Sequence, residues 1–452
     1  LSPDVLLAMK KPTWASAAAL VLIAAGCGAP ATRDPAAPPA MRSLILMTDG
    51  VPYPVMDSLY RAGHFADFHT PSQLISPFPS LTGVAFRDIW QEAEPSPGYE
   101  DKYYDTRENR IAGGLLDHIF KPAEHVGFHR RVEVEANALT TGLAYLAPGP
   151  MSRMELRAVA RRIAERAPYD TTVIAYIVTT DAIAHRATRE DLVAYLLQVE
   201  VMVQDLRRAN PGLRVALFSD HGNDFVTTRR VPLEAAVRAA GFREAKQIDT
   251  PDDVVLPRFG LVGSAFLYAS PHAEARLAEA LRAVEGVDLV LFEDQLDRIH
   301  VWNATGEAIV ESGRTGSKPD GATWYRYTAV RGDPLGLLPE LRRMQAGGTA
   351  DATGAAPDTA WLRATANTPY LDALRRITIG MRTSVANPAS VVVSFAPGYH
   401  FGDTAADRLV TVTGTHGSLR TSSSLAYFMS TSVAAPALLR SDRLLPYLGE
   451  GL

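Results

Sequence analysis

The sequence predicts an α/β protein built on a mostly parallel central sheet with helices on both faces, and three observations lead there. Short apolar runs of strand character alternate with amphipathic helical segments between residues 42 and 255, the pattern of a sheet covered on each side. Several of those runs break into a loop at an acidic or histidine residue, as functional groups do at the carboxyl ends of strands in open α/β sheets. The chain has 452 residues, 47% of them hydrophobic, which is ample for a sizeable core.

Taken in order, Ser43–Thr48 is an apolar strand that runs into Asp49-Gly50. Apolar residues at helical spacing mark helices over Met154–Ala167 and Glu190–Arg208, with a shorter one over Pro232–Ala240. Between the first two, Thr172–Val178 is a strand leading to Asp181 and then His185, and Arg214–Ser219 is a strand ending at Asp220-His221-Gly222. The interval from His221 to His416 is too long for one connection. It holds strands over Gly263–Ser270 and Val287–Phe292, a helix over Pro271–Val284, and a turn-rich stretch from Ile309 to Val330 that includes Trp324-Tyr325-Arg326-Tyr327. Residues 262–375 are expected to form an inserted α+β cap subdomain, with Gly347–Pro357 as a loop and the aromatic run as cap core. From Leu371 the chain is expected to return through a helix and the Val391-Val392-Val393 strand. A strand over Leu409–Thr413 then opens into Gly414-Thr415-His416-Gly417. The core is thus residues 42–261 and 376–452.

Four strand ends can share one place in space, and what they carry there is Asp49, Asp181, His185, Asp220, His221 and His416. Imidazole nitrogen and carboxylate oxygen are the donors that zinc and similar divalent ions take, commonly three per catalytic site with a position left open. Three Asp and three His divide into two such sets. A pair of ions can clamp the attacking and leaving oxygens of an in-line displacement at phosphorus, and can activate a hydroxyl such as that of Thr82 without a neighbouring base.

The motifs carry a resemblance. Thr48-Asp49-Gly50, Pro79-Ser80-Leu81-Thr82, Asp181-Ala182-Ile183-Ala184-His185, Asp220-His221-Gly222 and Thr415-His416-Gly417 stand in the order found in the alkaline phosphatase superfamily, and the chain resembles its type I phosphodiesterase/nucleotide pyrophosphatase branch. The resemblance implies an alkaline-phosphatase-like fold and a small phosphorylated substrate: a phosphodiester, a nucleotide pyrophosphate or a monoester. It also implies two divalent ions, zinc by analogy, with Asp181, His185 and His416 around one and Asp49, Asp220 and His221 around the other, and Thr82 as nucleophile. One stretch departs. Where the branch has an Asn in a sequence like Asn-Lys-x-Tyr-Asp, this chain reads Asp101-Lys102-Tyr103-Tyr104-Asp105. A carboxylate close to a phosphate is repulsive. Lys102 could take the phosphoryl-binding role, Asn109 could arrive from the next turn, or the substrate could carry a different charge. Tyr99, Tyr103 and Tyr104 are candidates for the pocket wall.

The amino-terminal region reads as a lipoprotein signal over residues 9–27: Met9-Lys10-Lys11 is basic, Ala17–Ala25 is apolar but short for a membrane span, and Ala24-Ala25-Gly26-Cys27 has the small residues that precede a lipidated cysteine. Cys27 is the only cysteine, which excludes disulfides and thiolate metal ligands. Residues 28–41, rich in Ala and Pro, read as a flexible tether. The expectation is an exported lipoprotein, periplasmic or associated with the outer membrane, held by a lipid anchor. The formal net charge of −5 argues against a nucleic-acid-binding surface. Two other readings of this fold remain, a sulfatase-like ester hydrolase and a non-catalytic surface lipoprotein. The first lacks its loop, since Ser76-Pro77-Phe78-Pro79-Ser80 has no Arg; the second would have lost ligands, and all six are present.

Overall fold

Two sheets organise the chain. A computed structural model describes residues 41–114, 127–136, 138–315 and 322–449; the expected signal, most of the tether and Cys27 lie outside the described residues. In the first, six-stranded sheet, Ser43–Thr48 runs parallel to both Thr172–Ile177 and Arg214–Ser219, in a register that sets Thr48 level with Ile177 and Ser219. Leu425–Ser430 continues the sheet antiparallel to Arg214–Ser219, followed by Ser72–Ile75 and then Leu438–Arg440. The strand period of two divides the first strand between two cores. Leu44 and Leu46 pack with Val159, Ile163, Leu196 and Val199 from helices Pro148–Arg166 and Arg189–Ala209. Ile45 and Met47 face the opposite way, onto Phe86, Ile89 and Trp90 of helix Thr82–Trp90. Helices therefore cover both faces, and the continuous apolar sequence of these strands follows from burial on both sides.

The expected elements of this half appear with shifted ends. The long helices run Pro148–Arg166 and Arg189–Ala209, the latter closed by a capping box between Thr188 and Asp191. The short one is Leu233–Ala239.

The second sheet has nine strands and is almost wholly antiparallel. Its membership differs from the expected cap. Arg243–Ala245 and Asp253–Val255 join one end of it, and Val391–Phe395 lies in its interior between Ser264–Ala269 and Val287–Glu293. The Val391 strand thus completes the second sheet, where three valines in a row find burial on both faces, and does not return to the first. The stretch expected to be turn-rich forms two long paired strands, Glu307–Arg314 and Thr323–Arg331. Its alternation explains them: Tyr325 and Tyr327 point into the core, whereas Trp324 and Arg326 are only partly covered. The expected strand over Leu409–Thr413 is absent. Thr404–Leu409 is a short helix, and residues 410–413 have no regular structure because no strand lies beside them to pair with.

Candidate active site

The three parallel strands deliver their carboxylates at one level. Asp49 follows Thr48 directly, Asp220 follows Ser219, and Asp181 sits in the first turn of helix Thr179–Arg186 just beyond Ile177. Loops between them are pinned by side chains: Thr180 Oγ1 accepts the Asp49 N–H at 2.8 Å, and Ser219 Oγ accepts the Val51 N–H at 2.9 Å. Gly50 has φ +65°, and a Cβ there would come within 2.5 Å of Asp181 Oδ1, so this position requires glycine for both conformation and space. His416 arrives on an irregular segment, held where the Thr413 N–H meets the His185 carbonyl at 2.8 Å.

All six expected metal ligands converge and are buried. The donor atoms of Asp181, His185 and His416 lie within 4.8 Å of one another, and so do those of Asp49, Asp181 and His221. Asp220 belongs with the second group, its Oδ2 lying 3.3 Å from His221 Nε2. Asp181 reaches both groups and so stands between them.

The hydrogen bonds sort the donor atoms. Tyr176 donates its hydroxyl to Asp49 Oδ2, Tyr145 donates to Asp181 Oδ2 at 2.5 Å, and the Gly50 N–H donates to Asp220 Oδ1 at 3.2 Å. The other oxygens, Asp49 Oδ1, Asp181 Oδ1 and Asp220 Oδ2, are buried with no hydrogen-bond partner among the described residues. The imidazoles are oriented the same way: His221 Nδ1 donates to the Gly222 carbonyl at 3.0 Å and His416 Nδ1 to the Ser80 carbonyl at 2.8 Å, leaving each Nε2 toward the carboxylates. Backbone or carboxylate partners on the far nitrogen are how metal-binding histidines are fixed. Three orphaned carboxylate oxygens in a dry site are costly without a cation, and the donor set of carboxylate and imidazole suits zinc and similar divalent ions.

The electrostatics agree. Burial, then the charges of Asp220 and Asp181, raises the Asp49 pKa well above the usual carboxylate range, and burial raises that of Asp220 to about 7. Burial lowers the His185 pKa to about 4 and holds that of His221 well below its usual value, so both rings are neutral and able to ligate.

Thr82 is the first residue of helix Thr82–Trp90, with its Oγ1 3.3 Å from His221 Nε2. The unpaired N–H groups of that first turn favour an anion beside the hydroxyl. Asp101 lines the cavity in front of it, whereas neither Lys102 nor Asn109 is among the lining residues. The Asn109 amide is spent elsewhere: Nδ2 donates to the Ile248 carbonyl at 3.1 Å, and Oδ1 accepts the Ile248 N–H and the Tyr104 hydroxyl. Tyr99 and Tyr103 line the cavity, and Tyr104 does not.

Sequence reasoning missed Tyr145, Tyr176 and Glu155. Glu155, buried in helix Pro148–Arg166, accepts the N–H groups of Val178 and Thr179 at 3.1 Å each and the Thr179 hydroxyl, fixing the turn that carries Asp181. A signal existed for Tyr176, a lone hydroxyl in an otherwise aliphatic buried strand. None existed for the other two, whose roles depend on tertiary placement.

No family model and no curated protein matches the chain. Among solved structures, human ectonucleotide pyrophosphatase/phosphodiesterase 5 superposes with a TM-score of 0.47 at 9% identity, covering 90% of this chain and 94% of that one. Phosphonoacetate hydrolase from Sinorhizobium meliloti 1021, in complex with phosphonoformate, gives 0.47 at 10% identity, covering 91% and 95%. Superpositions this loose say nothing of what this chain does; its chemistry rests on its own residues.

Proposed function

We propose that the protein is a metal-dependent hydrolase of phosphate esters, of the phosphodiesterase/nucleotide pyrophosphatase kind its motifs resemble, with Thr82 as nucleophile. The observation that carries this reading is the set of three orphaned, buried carboxylate oxygens among three buried imidazoles, beside a hydroxyl at a helix N-terminus.

Divalent ions held by Asp181, His185 and His416 and by Asp49, Asp220 and His221 would supply Lewis acidity, lowering the pKa of the Thr82 hydroxyl and offsetting charge at phosphorus. Thr82 Oγ1, its proton lost to solvent, attacks phosphorus in line. The P–O bond to the leaving alcohol breaks, and that oxygen takes a proton from water. The first-turn N–H groups of helix Thr82–Trp90 hold a phosphoryl oxygen as charge builds. A water then attacks the phosphorylated Thr82 from the vacated side and restores the hydroxyl. Glu155, Tyr145 and Tyr176 hold the carboxylates in place throughout.

Export and attachment through a lipid on Cys27 belong to the same proposal and rest on the sequence alone. Among the described residues no helix is long and apolar enough to cross a membrane. The deciding experiment loads purified protein with zinc and assays a phosphate monoester, a phosphodiester and a sulfate ester. Turnover of a phosphate ester that is lost on chelation supports the proposal. Preference for the sulfate ester would favour the sulfatase-like reading, and tight metal binding without turnover would favour the non-catalytic one.

A further inference from the structure

The cavity in front of Thr82 has the wrong lining for a polyanion. Its volume is about 690 Å³, far more than a phosphoryl group needs, and its wall includes Leu81, Tyr99, Phe128, Phe259, Leu261 and Val412. Two more lining residues, Leu146 and Leu409, are 62% and 77% exposed, so the apolar surface continues out over the rim into solvent. Apolar surface that continues from a cavity onto its rim is the kind of contiguous patch that marks a binding groove.

The charges on the wall point the same way. Glu100, Asp101 and Glu135 line the cavity. Glu100 accepts the Gly260 N–H at 2.7 Å, and burial raises its pKa to about 7, so an anion placed next to it would raise the cost of its charge further. Among the described residues the basic side chains on the wall outside the ion-binding cluster are Arg186 and His129, and both have partners. Arg186 donates Nε to the Tyr145 carbonyl at 2.9 Å and Nη1 to the Thr411 carbonyl, and His129 Nδ1 lies 2.7 Å from Glu135. Beyond the ion-binding cluster itself, the described wall sets one guanidinium against the three carboxylates of Glu100, Asp101 and Glu135, a balance that disfavours a second phosphate.

We propose that the site takes phosphoesters in which one anionic phosphoryl group is joined to a bulky apolar body, such as a long-chain alkyl or aryl ester, and rejects substrates with further anionic groups, nucleoside triphosphates among them. The phosphoryl group lies at Thr82, and the apolar body runs along the Leu81–Tyr99–Phe259 wall and leaves over Leu146 and Leu409. This inference rests on the phosphoester-hydrolase reading above and narrows its substrate class.

The test uses the zinc-loaded protein and a series of p-nitrophenyl alkyl phosphodiesters from methyl to octyl. Alongside it run thymidine 5′-phosphate p-nitrophenyl ester and ATP. The expected result is a kcat/KM that rises with chain length, by up to about fourfold per methylene buried, with ATP the poorest substrate. Leu146→Asp and Leu409→Asp should flatten the series without lowering the melting temperature, since both side chains are already in solvent. Glu100→Gln should narrow the gap between the alkyl esters and ATP. A flat series with good turnover of the methyl ester, or ATP outrunning the octyl ester, would overturn this inference and leave the hydrolase reading standing. No turnover of any ester, with metal bound, would overturn both.

Discussion

The imidazole rings of His221 and His416 lie face to face, with centroids 3.7 Å apart and planes 11° from parallel. One ring comes from the end of a parallel strand and the other from an irregular segment far along the chain. Burial, with the neighbouring His416 ring second, holds the His221 pKa well below its usual value. His221 therefore presents its Nε2 to Asp49 as a lone pair, the state in which imidazole binds metal, and His416 turns its own Nε2 toward Asp181.

Because Asp181 reaches both donor groups, its loss should cost more metal than the loss of a ligand belonging to one. Asp181→Ala is expected to retain less than one ion per chain, and His185→Ala about half the wild-type content, by elemental analysis of protein equilibrated with zinc. Equal retention in the two variants would refute the bridging position.

Thr82→Ala removes an oxygen that the carboxylates and imidazoles do not need for their own placement. Metal content should stay near wild type while turnover of a phosphodiester falls by about three orders of magnitude or more, as losing an activated nucleophile does. Thr82→Ser should keep substantial activity. Ser80, whose hydroxyl donates to the Ser418 carbonyl at 3.2 Å, is the rival on the same loop, and Ser80→Ala is expected to remain active.

Stability without metal should depend on pH in a particular window. Asp220, raised by burial to about 7, and Asp49, raised well above the usual carboxylate value, bind protons in the folded chain that they release when unfolded, so their contribution is full at low pH and is lost as pH rises through the folded values. His185, lowered by burial to about 4, and His221 act in the opposite sense, adding stability as pH rises toward the unfolded imidazole value of 6.5. The two effects oppose each other below that point, and only the carboxylates act above it. The melting temperature of chelator-treated protein should fall by a few degrees between pH 6.5 and pH 8, and saturating zinc should abolish the fall. Scanning calorimetry across that range checks both, and a flat metal-free profile would mean the carboxylates do not share a dry site.

Glu155→Ala orphans the two buried N–H groups of Val178 and Thr179 and leaves the Thr179 hydroxyl with Tyr195 alone. A loss of about 2–5 kcal/mol is expected in denaturant melts, together with weaker zinc affinity, because the same turn sets Asp181. Lower stability with unchanged affinity would show that the turn holds Asp181 by other means.

Cys27→Ser should move the protein from the membrane fraction to the soluble one. Persistence with membranes after a high-salt wash would disprove anchoring through that residue.

Much of the site was legible because its geometry is local to strand ends. Once Ser43–Thr48, Thr172–Ile177 and Arg214–Ser219 lie parallel and in register, Asp49 and Asp220 meet at one level and Asp181 follows a turn beyond them. His416 was legible only from its motif, since the Leu409–Thr413 alternation that suggested a strand leaves Leu409 in solvent with no partner. Tyr145, which caps the spare Asp181 oxygen, could not be read, because it reaches Asp181 across the fold and not along the chain. The second sheet was misjudged at its edges for a related reason. Three consecutive valines at Val391–Val393 suit any doubly buried strand, and nothing local says which sheet will bury them.

The late strands have a consequence for how the molecule comes to exist. Among the described residues Leu425–Ser430 links Ser72–Ile75 to the parallel trio, and Val391–Phe395 joins the two parts of the nine-stranded sheet. A nascent chain that stops short of them holds two unfinished sheets with open interior edges and lacks His416. Assembly is therefore governed by contacts of long sequence separation, which form slowly, and the Asp181–His185–His416 group is complete only once His416 is in place. A product truncated before Val391 would be an aggregation hazard that lacks this group, and is expected to show no partial activity.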